Sequence, residues 1–542
     1  MPFLATEQLQ VPTKDVLSWY FDDPQYDLDK PLYIDAACPD RCHTAREART
    51  LIRKLAAGFT AAGLKKGDVV CIHSFNDIDY PILVNGIVGF GGIWSGTNPS
   101  YTPYELSHAV KSAHIKFFIV EPEILKNVVV AAKENGIPES RILVFDKPGE
   151  TVPEGFRSWR TLLECDEMDW PRFDDAETAK STMIARCFSS GTTGLPKAAM
   201  ISHYNFIAQH VIVNDWSPKP YKPTRLIPMP FFHVAVAPTI HFSPLRNGTA
   251  TYVMRRFQLE PYLQYMERYA ITDMAVVPPI AIAIIMSPAS KKYSLKAVRT
   301  ASCGAAPLDK GPQARLQALL APDAPFTQVW GMTETTCIAS MFPWPESDVT
   351  GSVGRFAPSL DVKLVDDAGS DITGYDVRGE LCVRGPTVVK GYVDNPEGNK
   401  SWDADGFFHT GDIAYCDGKN KLWYIVDRKK ELIKVRGFQV APPEIEAVLL
   451  SHPHVVDAAV IGVNFSRDES EFPRAYVVRR QTPEGESLTA KDIKEYAAKS
   501  LAGYKRLEGG VLFLDEIPKN PSGKILKKTL REMAKKEMGA KL

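Results

Sequence analysis

Between about residue 44 and residue 340, helical and extended patterns alternate, and this alternation narrows the possible folds more than any other feature of the chain. Residues 44–63 carry helix punctuation at both ends. Thr44 can cap the start, Leu51, Ile52, Leu55 and Phe59 share one face, and Gly63 marks the stop. The run Val69-Val70-Cys71-Ile72 follows without polar alternation, as a strand buried on both faces would. Further strand-like runs stand at 117–120, 142–145, 183–188, 249–253, 274–277 and 297–301. Strands separated by helices are joined by crossovers, so the chain is predicted to be α/β with largely parallel sheets.

At 542 residues the chain exceeds one hydrophobic core, so more than one domain is expected. From about 350 to 426 short alternating segments lie between turn signals, which predicts a small antiparallel β region. A hairpin is expected around Asp417-Gly418-Lys419-Asn420, with 422–426 as its return strand. The charged cluster Asp427-Arg428-Lys429-Lys430-Glu431 then marks a domain boundary, dividing the chain into 1–429 and 430–542. Past it, Pro443 suits a helix start, and Ile445, Val448 and Leu449 form an apolar stripe. An Ala/Val strand over 457–463 and a basic helix over 525–538 complete a smaller α+β unit. The lysines of that last helix read as a solvated face.

A net charge of −1 leaves no electrostatic footprint for nucleic acid, so any anionic ligand must be held by local groups. The nine cysteines are scattered without a zinc spacing and read as reduced packing residues of an intracellular protein. The N-terminal residues have neither a basic start nor a long apolar run, so no signal peptide is expected. The most apolar window, 274–286, is too short to span a bilayer, so no transmembrane segment is expected. Ala540-Lys541-Leu542 differs from the Ser-Lys-Leu address only by Ser→Ala. It predicts recognition by the peroxisomal import receptor and a peroxisomal location, with the cytoplasm as the alternative.

The richest chemistry lies in Ser189-Ser190-Gly191-Thr192-Thr193-Gly194-Leu195-Pro196-Lys197, directly after the 183–188 strand. Glycines let backbone N–H groups approach closely, hydroxyls donate to phosphate oxygens, and the lysine adds charge, so the loop suits a polyphosphate. It is not a Walker A loop, because no Gly-Lys-Ser/Thr occurs there. Further segments follow in order: Pro230-Phe231-Phe232-His233, Ser302-Cys303-Gly304-Ala305-Ala306-Pro307-Leu308, and Gln328-Val329-Trp330-Gly331-Met332-Thr333-Glu334-Thr335. After these come His409-Thr410-Gly411-Asp412, the run 427–440, and Pro518-Lys519-Asn520-Pro521-Ser522-Gly523-Lys524.

This ordered series resembles the adenylate-forming acyl-CoA synthetases over nearly the whole chain, with the 4-coumarate–CoA ligase and firefly-luciferase branch as the nearest match. The resemblance implies a large N-terminal domain and a smaller mobile C-terminal domain, with the hinge near Lys430. It also implies ATP, Mg²⁺ and coenzyme A acting on a small-molecule carboxylic acid. Residues 189–194 and Lys197 match the phosphate loop, with Thr193 among the catalytic residues. Ala198 stands where glycine is usual, which matters only if that position needs positive φ. His233 is implied to position the carboxylate and adenylate. Gly304, Ala305, Ala306 and Pro307 are implied to lie against the adenine and the acyl pocket floor.

Gln328, Trp330, Gly331, Met332 and Thr333 are implied to contact the nucleotide, with the Trp330 ring, in place of the usual tyrosine, stacked on adenine. Glu334 is implied to face Mg²⁺, Asp412 to accept from the ribose hydroxyls, and Arg428 to bind ribose and phosphate. Lys434, Gln439 and Arg436 match adenylate-handling positions, and Gly437 lies where pantetheine passes. Lys524 matches the C-terminal-domain lysine that reaches the reacting groups. Small residues at Val234, Ala235, Cys303, Gly304 and Gly331 leave room for a flat aryl or medium alkyl chain, so a hydrophobic aryl or medium-chain monocarboxylate is expected. A stand-alone adenylation enzyme serving a carrier protein and a luciferase-like oxygenase share these motifs and stay open as alternatives.

Overall fold

The helix expected over 44–63 runs Ala45–Ala61 and opens on a capping box, in which Thr44 accepts from the Glu47 N–H and the Glu47 side chain accepts from the Thr44 N–H. The computed structural model of the chain describes residues 3–189, 196–429, 431–435, 438–464, 471–501, 503–520 and 523–539. The side chains of Lys434, Phe438, Gln439, Met538 and Gly539 lie outside that description. Ser190, Gly191, Thr192, Thr193, Gly194, Lys430, Arg436, Gly437 and Ala540-Lys541-Leu542 also lie outside it.

Two seven-stranded sheets carry the N-terminal half. The first runs Arg157–Ser158, Ile142–Val144, Ile115–Val120, Val69–His73, Ile93–Gly96, Met183–Ser189 and Lys197–Ser202, parallel except for its last strand. The second runs Phe326–Gln328, Thr300–Cys303, Asp273–Val276, Thr224–Ile227, Ala250–Val253, Pro31–Asp35 and Cys42–Thr44, again antiparallel only at the end. The predicted parallel α/β architecture therefore holds. One strand shifts: the expected 297–301 is found at Thr300–Cys303. Val298 is apolar and buried but sits in a turn, its N–H bonded to the Leu295 carbonyl, so its hydrophobicity serves packing and not pairing.

The antiparallel region is a five-stranded sheet from Asp361 to Arg428, and its hairpin joins Phe408–Cys416 to Trp423–Arg428. Beyond it, helices Pro442–Leu450, Ala490–Ser500 and Lys527–Gly539 accompany a three-stranded sheet of Val455–Val463, Phe472–Arg479 and Gly510–Phe513. The last helix corrects one expectation. Not all its lysines are solvated: Lys527 is buried, with its Nζ 3.7 Å from Glu431 and 3.3 Å from Glu446. At the predicted boundary Asp427 is buried beside that lysine. Among the described residues no helix is long and apolar enough to cross a membrane.

Gly58 shows how closely these layers approach. A Cβ at this position would lie 2.1 Å from the Leu162 carbonyl oxygen, a backbone atom that cannot swing aside. Helix propensity alone predicts that Gly58→Ala stabilises by about 1 kcal/mol. Contact predicts the reverse, a loss of about 1–3 kcal/mol as in other overpacked cores. A lowered thermal midpoint for Gly58→Ala is expected; a raised one would show that the two segments move apart freely.

Candidate active site

Both seven-stranded sheets, the antiparallel sheet and the C-terminal unit contribute to the walls of one cavity of about 1370 Å³. One wall is a face of the second sheet. Strand geometry sends alternate side chains to opposite faces, so Ile227, Ala275, Ser302 and Thr327 face the cavity. The intervening Leu226, Ala301, Cys303 and Phe326 are buried in the core behind. Cys303 was expected in the acyl pocket; the pairing of its strand turns it into the core, and Ser302 takes its place. Val234, Ala235, Gly304 and Gly331 line the cavity as expected. Gly331 has a steric reason to be glycine, since a Cβ there would meet the Cys337 carbonyl oxygen at 1.8 Å. Ala305 also lines the cavity, in the left-handed region at φ 69°, while Ala306 and Pro307 are not among its lining residues.

The phosphate-loop strands form a hairpin in which Ser189 pairs with Lys197. Ala198 pairs with Phe188 inside a regular strand and is not among the positive-φ residues, so the missing glycine carries no conformational cost. Lys197 Nζ stands 5.1 Å from the centre of the Tyr392 ring. The Tyr392 hydroxyl in turn donates to Glu334 Oε1 at 2.5 Å. Glu334 is 2 % exposed, and its other oxygen, Oε2, is buried with no hydrogen-bond partner among the described residues. A buried carboxylate oxygen left open in this way suits a hard cation, which needs few protein ligands when phosphates and water supply the rest. Tyr392 was not foreseen in the sequence, because it belongs to none of the motif segments.

Gln328 and Trp330 depart from expectation. Gln328 does not line the cavity. Its Oε1 accepts from the Leu308 N–H at 2.8 Å, and its Nε2 donates to the Leu308 carbonyl at 2.7 Å and to Gln313 at 3.1 Å. With its amide committed, Gln328 shapes the 302–308 turn instead of touching a ligand. Trp330 is 7 % exposed, lies edge-to-face with Phe356, and donates from Nε1 to Asp412 Oδ2 at 2.8 Å. The indole is thus packed into the core beside the cavity and ties the buried Asp412 in place; its neighbours Gly331, Met332 and Thr333 face the cavity.

The other Asp412 oxygen lies 3.3 Å from Arg428 Nε, and Arg428 reaches the cavity with Thr410 and Gly411. Lys524 arrives from the C-terminal unit, on the loop closed by the Lys519–Ile525 bridge. Burial lowers the Lys524 pKa, and the Arg428 charge lowers it further. His233 lines the same space, with its pKa pushed down to about 4 by burial. Its Nδ1 accepts from the Ala235 N–H at 3.1 Å, so the neutral ring carries its proton on Nε2, free to donate. Lys434 and Gln439 are paired across the two-stranded ribbon Ile433–Val435 and Phe438–Val440.

A model of the AMP-binding enzyme family matches residues 23–393, and one of the AMP-binding enzyme C-terminal domain matches residues 444–524. A phenylacetyl-CoA ligase of Aspergillus niger is 52% identical over 537 residues, covering 98% of this chain and 99% of that one. A 4-coumarate–CoA ligase of Pinus taeda is 33% identical over 525 residues, 95% of this chain and 94% of that one. Among solved structures, ATP-bound MatB from Rhodopseudomonas palustris superposes with a TM-score of 0.84 at 26% identity, covering 96% of this chain and 98% of that one.

Next to Arg428 in its strand, Asp427 is a buried titratable group. Burial pushes the Asp427 carboxyl up to about 7 from 3.8; Glu431 and Glu446 add to the rise and the Lys527 ammonium opposes it. A raised carboxyl pKa stabilises the fold in its protonated form, so the contribution is complete below about pH 4 and lost as pH rises through about 7. Asp427→Asn keeps a neutral side chain at every pH. It should flatten the fall in thermal midpoint between about pH 4 and pH 7 that this linkage imposes on the native chain. An unchanged slope in differential scanning calorimetry would place the titration elsewhere.

Proposed function

Since the chain belongs to the AMP-binding enzyme family and is an adenylate-forming acyl-CoA ligase, we propose that its substrate is a hydrophobic aryl or medium-chain carboxylic acid activated with MgATP. The observation that carries the substrate reading is the apolar middle of the cavity, walled by Ile227, Val234, Ala235, Ala275 and Val329. The 52% identity to a phenylacetyl-CoA ligase supports an arylacetate-like acid.

A carboxylate is a poor acyl donor, because its leaving group would be oxide. In the first half-reaction a carboxylate oxygen attacks the α-phosphorus of ATP, a P–O bond forms, the bond to the β-phosphate bridge breaks, and pyrophosphate leaves. Lys524 and Arg428, which both reach the cavity, supply positive charge for the spreading phosphate charge. His233 donates from Nε2 to the acyl carboxylate or the adenylate, and Lys197, which lines the cavity, supplies charge for the departing phosphates. Asp412 does not itself line the cavity; fixed by Trp330, it holds Arg428, Thr410 and Gly411 toward the nucleotide sugar end in this reading. Glu334 would hold Mg²⁺, which when bound neutralises phosphate charge; Tyr392 keeps that carboxylate oriented by occupying its other oxygen.

In the second half-reaction the thiol sulfur of coenzyme A attacks the adenylate carbonyl carbon, the C–O bond to AMP breaks, and the thiol proton passes to solvent. Pantetheine must come close to the reacting carbonyl that Lys524 attends. Division of the chain at 429/430, with the C-terminal unit turning about Lys430, relieves that conflict, and Lys434, Gln439, Arg436 and Gly437 belong to the turned arrangement in this reading.

Formation of AMP and acyl-CoA, followed by mass spectrometry over phenylacetate-like, cinnamate-like, benzoate-like and straight-chain acids, tests the substrate reading. AMP release without thioester would move the second half-reaction to another acceptor. Lys524→Ala should cut adenylation by roughly 10²–10³, as removal of one charge-stabilising group does, while largely sparing thioester formation from a supplied acyl-adenylate. Equal loss in both half-reactions would remove Lys524 from the first.

A further inference from the structure

The cavity floor follows the second sheet from the ends of its strands, at Gly304 and Ala305, back to their beginnings. There Arg225, Asp273 and Thr300 stand in one rung: Arg225 pairs with Asp273, Asp273 pairs with Thr300, and all three line the cavity. Gly304 lies four steps along the chain from Thr300, so at about 3.3 Å per step this rung lies about 13 Å from the nucleotide end. Between them the floor is the small, mostly apolar surface of Ile227 and Ala275, with the Ser302 and Thr327 hydroxyls.

The rung is charged, and its charges do not cancel. Lys219 Nζ bonds to Asp273 Oδ1, and the Thr272 hydroxyl donates to Asp273 Oδ2 at 2.8 Å. Both carboxylate oxygens are therefore taken, and one charge of each sign is spent. Arg225 remains. Among the described residues its hydrogen bonding is a single long contact, from Nη2 to Asn214 Oδ1 at 3.4 Å. A guanidinium has five N–H donors in a planar fork, and that of Arg225, only partly buried, opens on the cavity. Before an acid binds, water meets these donors, and an acid that displaces the water keeps the bonds only if it brings an acceptor of its own. A plain alkyl or phenyl terminus offers none.

We propose that Arg225 is a specificity-determining residue that binds an acceptor oxygen at the end of the acid remote from the carboxylate being activated. The preferred acids then have a hydrophobic middle and are oxygenated at both ends, the far oxygen being a hydroxyl, a carbonyl or a second carboxylate. This rests on the ligase reading of the same cavity.

The test compares matched straight-chain acids of six to fourteen carbons: unsubstituted, ω-hydroxy, ω-oxo and α,ω-dicarboxylic. For the native enzyme, kcat/KM should favour an oxygenated acid over its unsubstituted equal at one chain length by about 10–100-fold, the span of a charge-assisted hydrogen bond; which oxygenated series wins identifies the far group. Arg225→Met should collapse that ratio to near unity, and Arg225→Lys should keep part of it. A native enzyme that takes unsubstituted acids as well at every length overturns the proposal without any variant, as does an Arg225→Met enzyme that keeps the preference. Calorimetric binding of the same acids separates the two readings. Binding that favours the oxygenated acid through Arg225 without acyl-CoA from any acid would bring down the ligase and leave this inference. Acyl-CoA formation with no discrimination in turnover or binding would do the opposite.

Discussion

The site depends on a parallel sheet that is buried on one face and open on the other. Strand pairing in the second sheet is in register from Asp273 to Gln328, so residues two apart stand in straight files toward the cavity. A slip by one residue would exchange every file, bringing Cys303 and Ala301 into the cavity and sending Ser302 and Thr300 into the core. The core behind, with Leu226, Ala301, Cys303 and Phe326, is what resists that slip. Packing on the hidden face thus decides the chemistry on the open one.

Around that wall the charged groups are arranged by mutual support. Glu334, Tyr392 and Lys197 form a chain from a buried carboxylate through a phenol to a cation above the ring. Trp330, Asp412 and Arg428 form another, in which an indole N–H and a guanidinium hold one carboxylate. Each brings together elements far apart in the chain; all three members of the first line the cavity, and of the second only Arg428 does. Lys524 meets Arg428 there from a separate unit, and their like charges lower its pKa beyond what burial does. Such repulsion is tolerable where an anion is to be bound between them, and it lowers the cost of moving Lys524 away when the anion changes.

Much of this was legible in the sequence because local rules govern it. Helix 45–61 is written in its Thr44 cap and apolar stripe, and the parallel strands in their unbroken apolar runs. The motif segments name Lys197, His233, Thr333, Glu334, Arg428 and Lys524, and all six line one cavity. What escaped was of another kind. Val298 is apolar for packing and misplaced a strand boundary. Gln328 and Trp330 sit inside a ligand-binding segment yet spend their polar groups on Leu308, Gln313 and Asp412. Tyr392, Arg225 and Asp273 carry no motif at all.

The sequence by itself determined the α/β alternation, the antiparallel insert and the family, because those are recorded in periodicity and in short ordered motifs. Only the tertiary structure decided which face of each strand looks into the cavity, which polar groups are already satisfied, and which are left over. Glu334 Oε2 and the Arg225 guanidinium are left over because their neighbours are committed elsewhere, and two of the contacts that commit them, Tyr392 to Glu334 and Lys219 to Asp273, join residues distant in the chain that packing brings together.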